Sequence, residues 1–171
     1  MKIHWFCVAA AILAMSAGEA LAQERVVGVK NPVALFHSSD PKLDANKQVA
    51  YHIFKDILEG GRIEAIDKYL TPRYIQHNPN IPSGHDGLKK MLSMVGPKAA
   101  ADHLSANVVA VVAEGDYVIV STVQLLPDPR SPGKNYTTTH FDMWRIKEGM
   151  ADEHWDEAAL GPPPGLNPSG R

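Results

Sequence analysis

The stretch from Tyr136 to Asp156, YTTTHFDMWRIKEGMADEHWD, gathers His140, Asp142, His154 and Asp156, side chains that accept and return protons near neutral pH. It reads as two strands joined by a tight turn at Glu148-Gly149. A strand sends alternate side chains to opposite faces. His140, Asp142 and Trp144 then share one face, with Phe141, Met143 and Arg145 on the other. On the partner strand Met150, Asp152, His154 and Asp156 share a face and Trp155 lies opposite. In a sheet curled around a pocket, two imidazoles and two carboxylates would converge, which is equipment for general acid–base catalysis. A second polar segment, Tyr74-Ile75-Gln76-His77-Asn78-Pro79-Asn80-Ile81-Pro82, adds directional hydrogen-bonding groups, and its prolines stiffen the exit. Its plainer reading is a loop whose polar side chains satisfy backbone groups at a turn.

The elements that must position these residues can be read along the chain. Val49, Ile53, Phe54, Ile57 and Leu58 recur at helical spacing, with Asp44 as the expected N-cap and Gly60-Gly61 as the stop. A second short helix is expected over Ile63–Leu70, ending at Thr71-Pro72. A third starts after Pro82, where Ser83-Gly84-His85-Asp86 has the form of a capping box, and Gly96-Pro97 ends it. The second half changes character. Asn107–Val112, Tyr117–Leu126, Tyr136–Lys147 and Met150–Asp156 alternate as strands, separated by Glu114-Gly115-Asp116, by the Pro/Gly loop 127–134 and by Glu148-Gly149. Helices followed by a meander of four antiparallel strands argue for an α+β fold, with the helices on one face of a curved sheet.

The flanks read differently. Lys2, the apolar run Phe6–Met15 and Ala20-Leu21-Ala22 have the form of a signal peptide over residues 1–22, too short for a comfortable membrane span. Export is therefore expected, to the periplasm in a Gram-negative source, with no stable membrane insertion after cleavage. Residues 23–43 form an extended arm in which Val26–Val29 could be an edge strand and Val33, Leu35 and Phe36 could pack on the domain or on a second subunit. The domain proper runs over 44–158, and the Pro/Gly-rich 159–171 is a tail. Removing the leader leaves about 150 residues, enough for one domain with a substantial core. It also removes Cys7, the sole cysteine, and with it disulfides and thiol chemistry. The formal charge of −2 and the absence of a Lys/Arg cluster exclude nucleic acid as an expected partner. No G-x-S-x-G, P-loop or dinucleotide fingerprint is present.

The segments YIQHNPNIPSGHDGL, EGD, HFDMWRI and EHWD, in this order between about Asn46 and Asp156, resemble the SnoaL-like polyketide cyclase family of the NTF2-like (nuclear transport factor 2-like) superfamily. The resemblance implies a cone-shaped α+β barrel, a curved antiparallel sheet packed on N-terminal helices around a central pocket. It implies aldol-type chemistry with no metal and no organic cofactor, and a homodimer. The family's acid/base aspartate falls on Asp142. His77 and His154 are its expected catalytic partners, and Gln76, Asn78, His140, Trp144 and Asp156 are expected at the substrate. Trp144 beside Asp142 would raise the carboxyl pKa toward a useful range. A buried Asp142 paired with His77 or His154 could equally be structural. His77, His140, His154 and Asp142 have the ligand types of a zinc or iron site, yet no H-x-H or H-E-x-x-H motif supports one. The export signal fits poorly with a partner synthase inside the cell. The expected partner is a small apolar carbonyl compound, with a non-catalytic ligand-binding or assembly protein as the alternative.

Overall fold

The computed structural model describes residues 24–94 and 103–160. The expected signal peptide, the Gly96-Pro97 helix stop and most of the C-terminal tail lie outside these residues. The segment Val26–Val29 forms no strand; Val29 N–H donates to the Val108 carbonyl at 2.8 Å and Val26 N–H to Thr137 Oγ1 at 2.8 Å. A short 3-10 turn, Pro32–Phe36, then delivers Phe36, which is wholly buried against Tyr51 and Phe54.

Helix α1 spans Pro41–His52. Its cap is Asp40, whose carboxylate accepts from Lys42 N and Leu43 N at 2.8 and 3.0 Å, with Pro41 pre-set for the first turn. Asp44, the expected cap, sits inside that turn and accepts from Ser38 N instead. The helix runs on as a π-helical segment, Ile53–Glu59. This extra width turns Ile53, Phe54 and Ile57 all inward. Gly60 closes the segment by donating to the Lys55 carbonyl at 3.0 Å, and a Cβ there would lie 2.7 Å from the Asp56 carbonyl oxygen. Helix α2 covers Glu64–Tyr69.

The chain next forms a strand that the sequence pattern concealed. Strand β1, Leu70–Gln76, takes the place of the expected helix end and the start of the expected loop. It runs parallel to the last strand at one edge of the sheet, where Pro72, lacking an N–H, is tolerated. Helix α3, Ser83's expected partner, spans His85–Ser93 with Gly84 at its N-cap and no side-chain cap. The capping box does not form, because Ser83 Oγ accepts from Gln76 N at 3.0 Å.

Strands β2 (Val108–Glu114), β3 (Tyr117–Pro127), β4 (Asn135–Lys147) and β5 (Met150–Asp156) form the expected meander. The strand order is β1-β5-β4-β3-β2: a curved five-stranded sheet that is open, not a closed barrel. Positive φ at Glu148 (53°) and Gly149 (77°) makes the tight β4–β5 turn. Helix α1 and its π extension pack across the concave face, where Phe54 meets Trp144 edge-on at 5.6 Å.

The alternation expected for β4 holds. His140, Asp142, Trp144 and Ile146 are buried, while Phe141 is half-exposed on the outer face. In β5 it breaks: the register shifts between Arg145 and Ile146, a bulge that sends Asp152 away from the concave side. Asp152 is fully buried under an ion cluster, accepting from Thr71 Oγ1 (2.9 Å), Arg73 Nε (2.7 Å) and Arg145 Nη2 (2.7 Å). Both arginines also reach Glu153.

Candidate functional site

Between the π-helical segment, α3 and the concave face of the sheet lies a cavity of about 410 Å³, within the range of small-molecule sites. Its walls are apolar: Ile53, Ile57 and Leu58 from the π-helical segment, Leu88, Met91 and Leu92 from α3, with Leu70 and Ile81. Its polar end is built by β1, β4 and β5. There Gln76, Asn78, His140, Asp142, Trp144, His154 and Asp156 meet, joined by Tyr74, Gln124 and Glu157.

The polar groups form two strings, one from Asp142 through His154, Gln76 and Asn78 to Asp156 and one joining His140 to Glu157. Asp142 Oδ1 faces His154 Nε2 at 3.0 Å, and His154 Nδ1 faces Gln76 Oε1 at 2.8 Å. His140 Nε2 lies 3.5 Å from Asp142 Oδ1, beyond a hydrogen bond of ordinary length, and its Nδ1 lies 2.6 Å from Glu157 Oε1. Glu157 Oε2 also accepts from Phe141 N at 3.0 Å. Asn78 Nδ2 donates to Asp156 Oδ2 at 2.6 Å, and Ala158 N to Asp156 Oδ1 at 3.0 Å. Three buried atoms make no hydrogen bond among the described residues: Asp142 Oδ2, His140 Nε2 and Trp144 Nε1.

Hydrogen-bond inventory fixes one proton. Gln76 Oε1 accepts the backbone N–H of Asn78 at 3.0 Å, so the amide presents oxygen, not nitrogen, to His154. His154 Nδ1 must therefore carry hydrogen. One proton then has to lie between His154 Nε2 and Asp142 Oδ1, since two bare acceptors would not approach to 3.0 Å. A carboxylate, an imidazole and a held proton thus abut the cavity.

The charges are set by the same contacts. Burial alone pushes the Asp142 carboxyl up, but the neighbouring imidazoles of His140 and His154 outweigh it and hold the group below the usual carboxylate value. This reverses the expectation that Trp144 would raise it. Trp144 instead stacks on His154 with centroids 4.9 Å apart. Burial pulls the His140 imidazole down, yet Asp142 and Glu157 prevail and lift it to about 9. Burial, aided by Asp142 and Asp156, pushes the Tyr74 phenol well above its usual value, with the Trp144 indole acting in the opposite sense.

His77 does not join this group. Its ring stacks on Trp155 at 4.7 Å on the outer face and its Nε2 lies 3.2 Å from Glu153 Oε2. The strand explains why: along β1 and beyond, Tyr74, Gln76 and Asn78 alternate inward, so His77 points out. Gln76 and Asn78, expected at a substrate, are committed to His154 and Asp156. Glu157 was missed because nothing local distinguishes the residue after EHWD; it reaches the site by following β5 off the sheet's end. Tyr74 was legible as a large aromatic in an otherwise polar segment. For a metal, the described residues bring together His140, Asp142 and Asp156, each offering a ligand atom within 4.8 Å of the others.

The described residues thus form an open α+β sheet with buried histidines and carboxylates at one end of an apolar cavity. The family model for the SnoaL-like domain matches residues 52–154, more than half of the sequence. The chain belongs to the SnoaL-like family of the NTF2-like superfamily. Among solved structures, it is similar to a protein assigned as a polyketide cyclase from Acidithiobacillus ferrooxidans, at 22% identity over 66% of this chain and 86% of that one (TM-score 0.48). A protein similarly assigned, from Bacillus cereus, is 17% identical over 70% and 79% (TM-score 0.49). IdmH from Streptomyces antibioticus, of the same assignment, is 20% identical over 65% and 89% (TM-score 0.45). No curated protein matches the chain significantly.

Proposed function

We propose that this protein is an enzyme that abstracts a proton beside the carbonyl of a small apolar compound, with Asp142 as the base. One observation carries the reading. Asp142 Oδ2 is a buried carboxylate oxygen with no partner, at the polar end of an apolar cavity, while its sister oxygen is held by His154. A polar atom kept dry and unpaired costs about 1–3 kcal/mol, and a ligand that completes it repays that cost on binding.

The step follows from the geometry. Asp142 takes a proton from the carbon next to the ligand's carbonyl, and the electron pair of that C–H bond moves onto the carbonyl oxygen. The imidazole of His140, lifted to about 9 by its acidic neighbours, faces that oxygen with positive charge. The enolate then attacks a second carbonyl carbon, whose C=O electron pair moves onto oxygen and takes the proton back from Asp142, or it recovers that proton at another position. The walls of Leu88, Met91 and Ile57 favour an apolar ligand body.

Proton abstraction can be read without knowing the natural substrate. A panel of apolar ketones and 1,3-diketones is incubated in D₂O with the chelator-treated protein, and loss of α-protons is followed by NMR. Wild type is expected to accelerate exchange, and Asp142→Asn to reduce it by roughly 10²–10⁴. Equal exchange in the two proteins removes Asp142 as the base. A compound that binds both proteins but exchanges in neither supports a carrier instead. The reading also includes export through residues 1–22, tested by the mass of the secreted chain. A homodimer through the outer sheet face, where Val112, Ile119 and Phe141 are exposed, is tested by light scattering.

A further inference from the structure

We infer that the polar end of the cavity is also a site for one divalent transition-metal ion, held by His140, Asp142 and Asp156, and that the ion and proton transfer exclude one another there. The inference goes beyond the proposed chemistry and does not require it.

Four observations converge. A donor atom from each of the three residues lies within 4.8 Å of the other two. Ligands of one tetrahedral ion with bonds of about 2.0–2.2 Å lie about 3.3–3.6 Å apart, so a small closing movement of the three side chains brings all of them onto one ion. Second, the His140 Nε2 to Asp142 Oδ1 separation of 3.5 Å is long for a hydrogen bond. A ring nitrogen beside a carboxylate but not hydrogen-bonded to it is left open to another partner. Third, two buried atoms without a hydrogen bond, His140 Nε2 and Asp142 Oδ2, belong to residues only 7% and 3% exposed, and both belong to this cluster. A single ion accounts for both.

The fourth observation is the outer layer. A ligating histidine is oriented by a carboxylate on its other ring nitrogen, and ligating carboxylates are themselves hydrogen-bonded. His140 Nδ1 meets Glu157 at 2.6 Å, Asp142 Oδ1 meets His154 at 3.0 Å, and Asp156 accepts from Asn78 Nδ2 at 2.6 Å and Ala158 N at 3.0 Å. Each ligand therefore has its supporting partner. Asp142, Asp156 and Glu157 bring three carboxylates to a cavity lined by no lysine or arginine, so an ion entering there takes the place of the protons that the imidazoles hold. One nitrogen and two carboxylate donors suit zinc, cobalt or manganese better than the all-oxygen shells of calcium or magnesium. Coordination uses the Asp142 carboxylate, so a filled site has no base to offer.

The test uses the full chain, stripped with chelator and titrated with ZnCl₂ alone by calorimetry at neutral pH, with Co²⁺ absorption as a second probe. Expected is one ion per chain, with affinity at least 10-fold lower in His140→Ala and in Asp156→Asn. Glu157→Gln, which keeps every ligand, is expected to lose 10–100-fold. His37→Ala, removing an exposed imidazole far from the cavity, should bind as wild type. Should His140→Ala not fold, the Glu157→Gln comparison decides. No saturable binding below about 1 mM, or equal affinity in wild type, Asp156→Asn and Glu157→Gln, overturns the inference and leaves an adventitious surface ion only. Because α-proton exchange is measured on chelated protein, a failure here leaves the proposed chemistry standing, and the converse holds.

Discussion

Replacing Gln76 by leucine tests the proton assignment directly. In the native protein Gln76 Oε1 takes two hydrogens, from Asn78 N at 3.0 Å and from His154 Nδ1 at 2.8 Å. Leucine removes that one acceptor, and with it both bonds, at nearly constant volume. Two modest bonds are lost, and one buried N–H is left wanting, which together cost about 2 kcal/mol. For a domain of this size the melting midpoint should fall by roughly 4–8 °C. The diagnostic change is in the ring. Without Gln76, the Nδ1 hydrogen of His154 is given up to solvent while the proton shared with Asp142 stays on Nε2, so the pair holds one proton fewer. Long-range ¹⁵N–¹H correlation spectra of the His154 ring report this: Nδ1 protonated in wild type, Nε2 alone in Gln76→Leu. A wild-type spectrum with Nδ1 bare would refute the assignment, as would an unchanged tautomer in the variant. The loss of stability alone would not discriminate, since any hole beside His154 produces it.

Two other regions invite measurement. Asp152 is held well below the ordinary carboxylate range, first by hydrogen bonds from Arg73 and, against the opposing effect of burial, from Arg145 and Thr71. Its folded pKa is depressed, so its stabilisation is present above the unfolded value of about 3.9 and is lost as pH falls toward the folded value. Asp152→Asn should cost about 2–3 kcal/mol at pH 7, discounted because both arginines are partly exposed. The urea midpoint of wild type should drop more steeply than that of the variant below about pH 4; parallel curves would count against the ion cluster. Gly60→Ala places a Cβ 2.7 Å from the Asp56 carbonyl. Calorimetry should record a loss of about 1–3 kcal/mol, and an unchanged midpoint would mean that the π-helical turn opens freely.

How much of this was legible depends on the range of each interaction. Alternation in β4 needs only its own residues, and it correctly turned His140, Asp142 and Trp144 inward. The Glu148-Gly149 turn is equally local. Strand β1 was hidden because Pro72 and Arg73 interrupt any apolar alternation, and what makes it a strand is pairing with β5. Once it is a strand, Tyr74, Gln76 and Asn78 must face one way and His77 the other. The misplacement of His77 is therefore one consequence of the missed strand. Asp152 failed for a different reason: a bulge adds a residue to one side of a ladder, and no period of two survives it. The lowered Asp142 pKa could not be read from Trp144 alone, because His154 and His140 set it from adjoining positions in space.

The parallel pairing of β1 with β5 has a temporal meaning. Gln76 and His154 are 78 positions apart, and the loop between them closes only when the last strand is available. A chain leaving the ribosome presents its helices and the β2–β3 hairpin while Gln76 and Asn78 still wait for a partner. The polar end of the cavity is thus completed last. A nascent chain arrested before residue 150 would hold the greasy half of the cleft and Asp142, but not His154, Asp156 or Glu157.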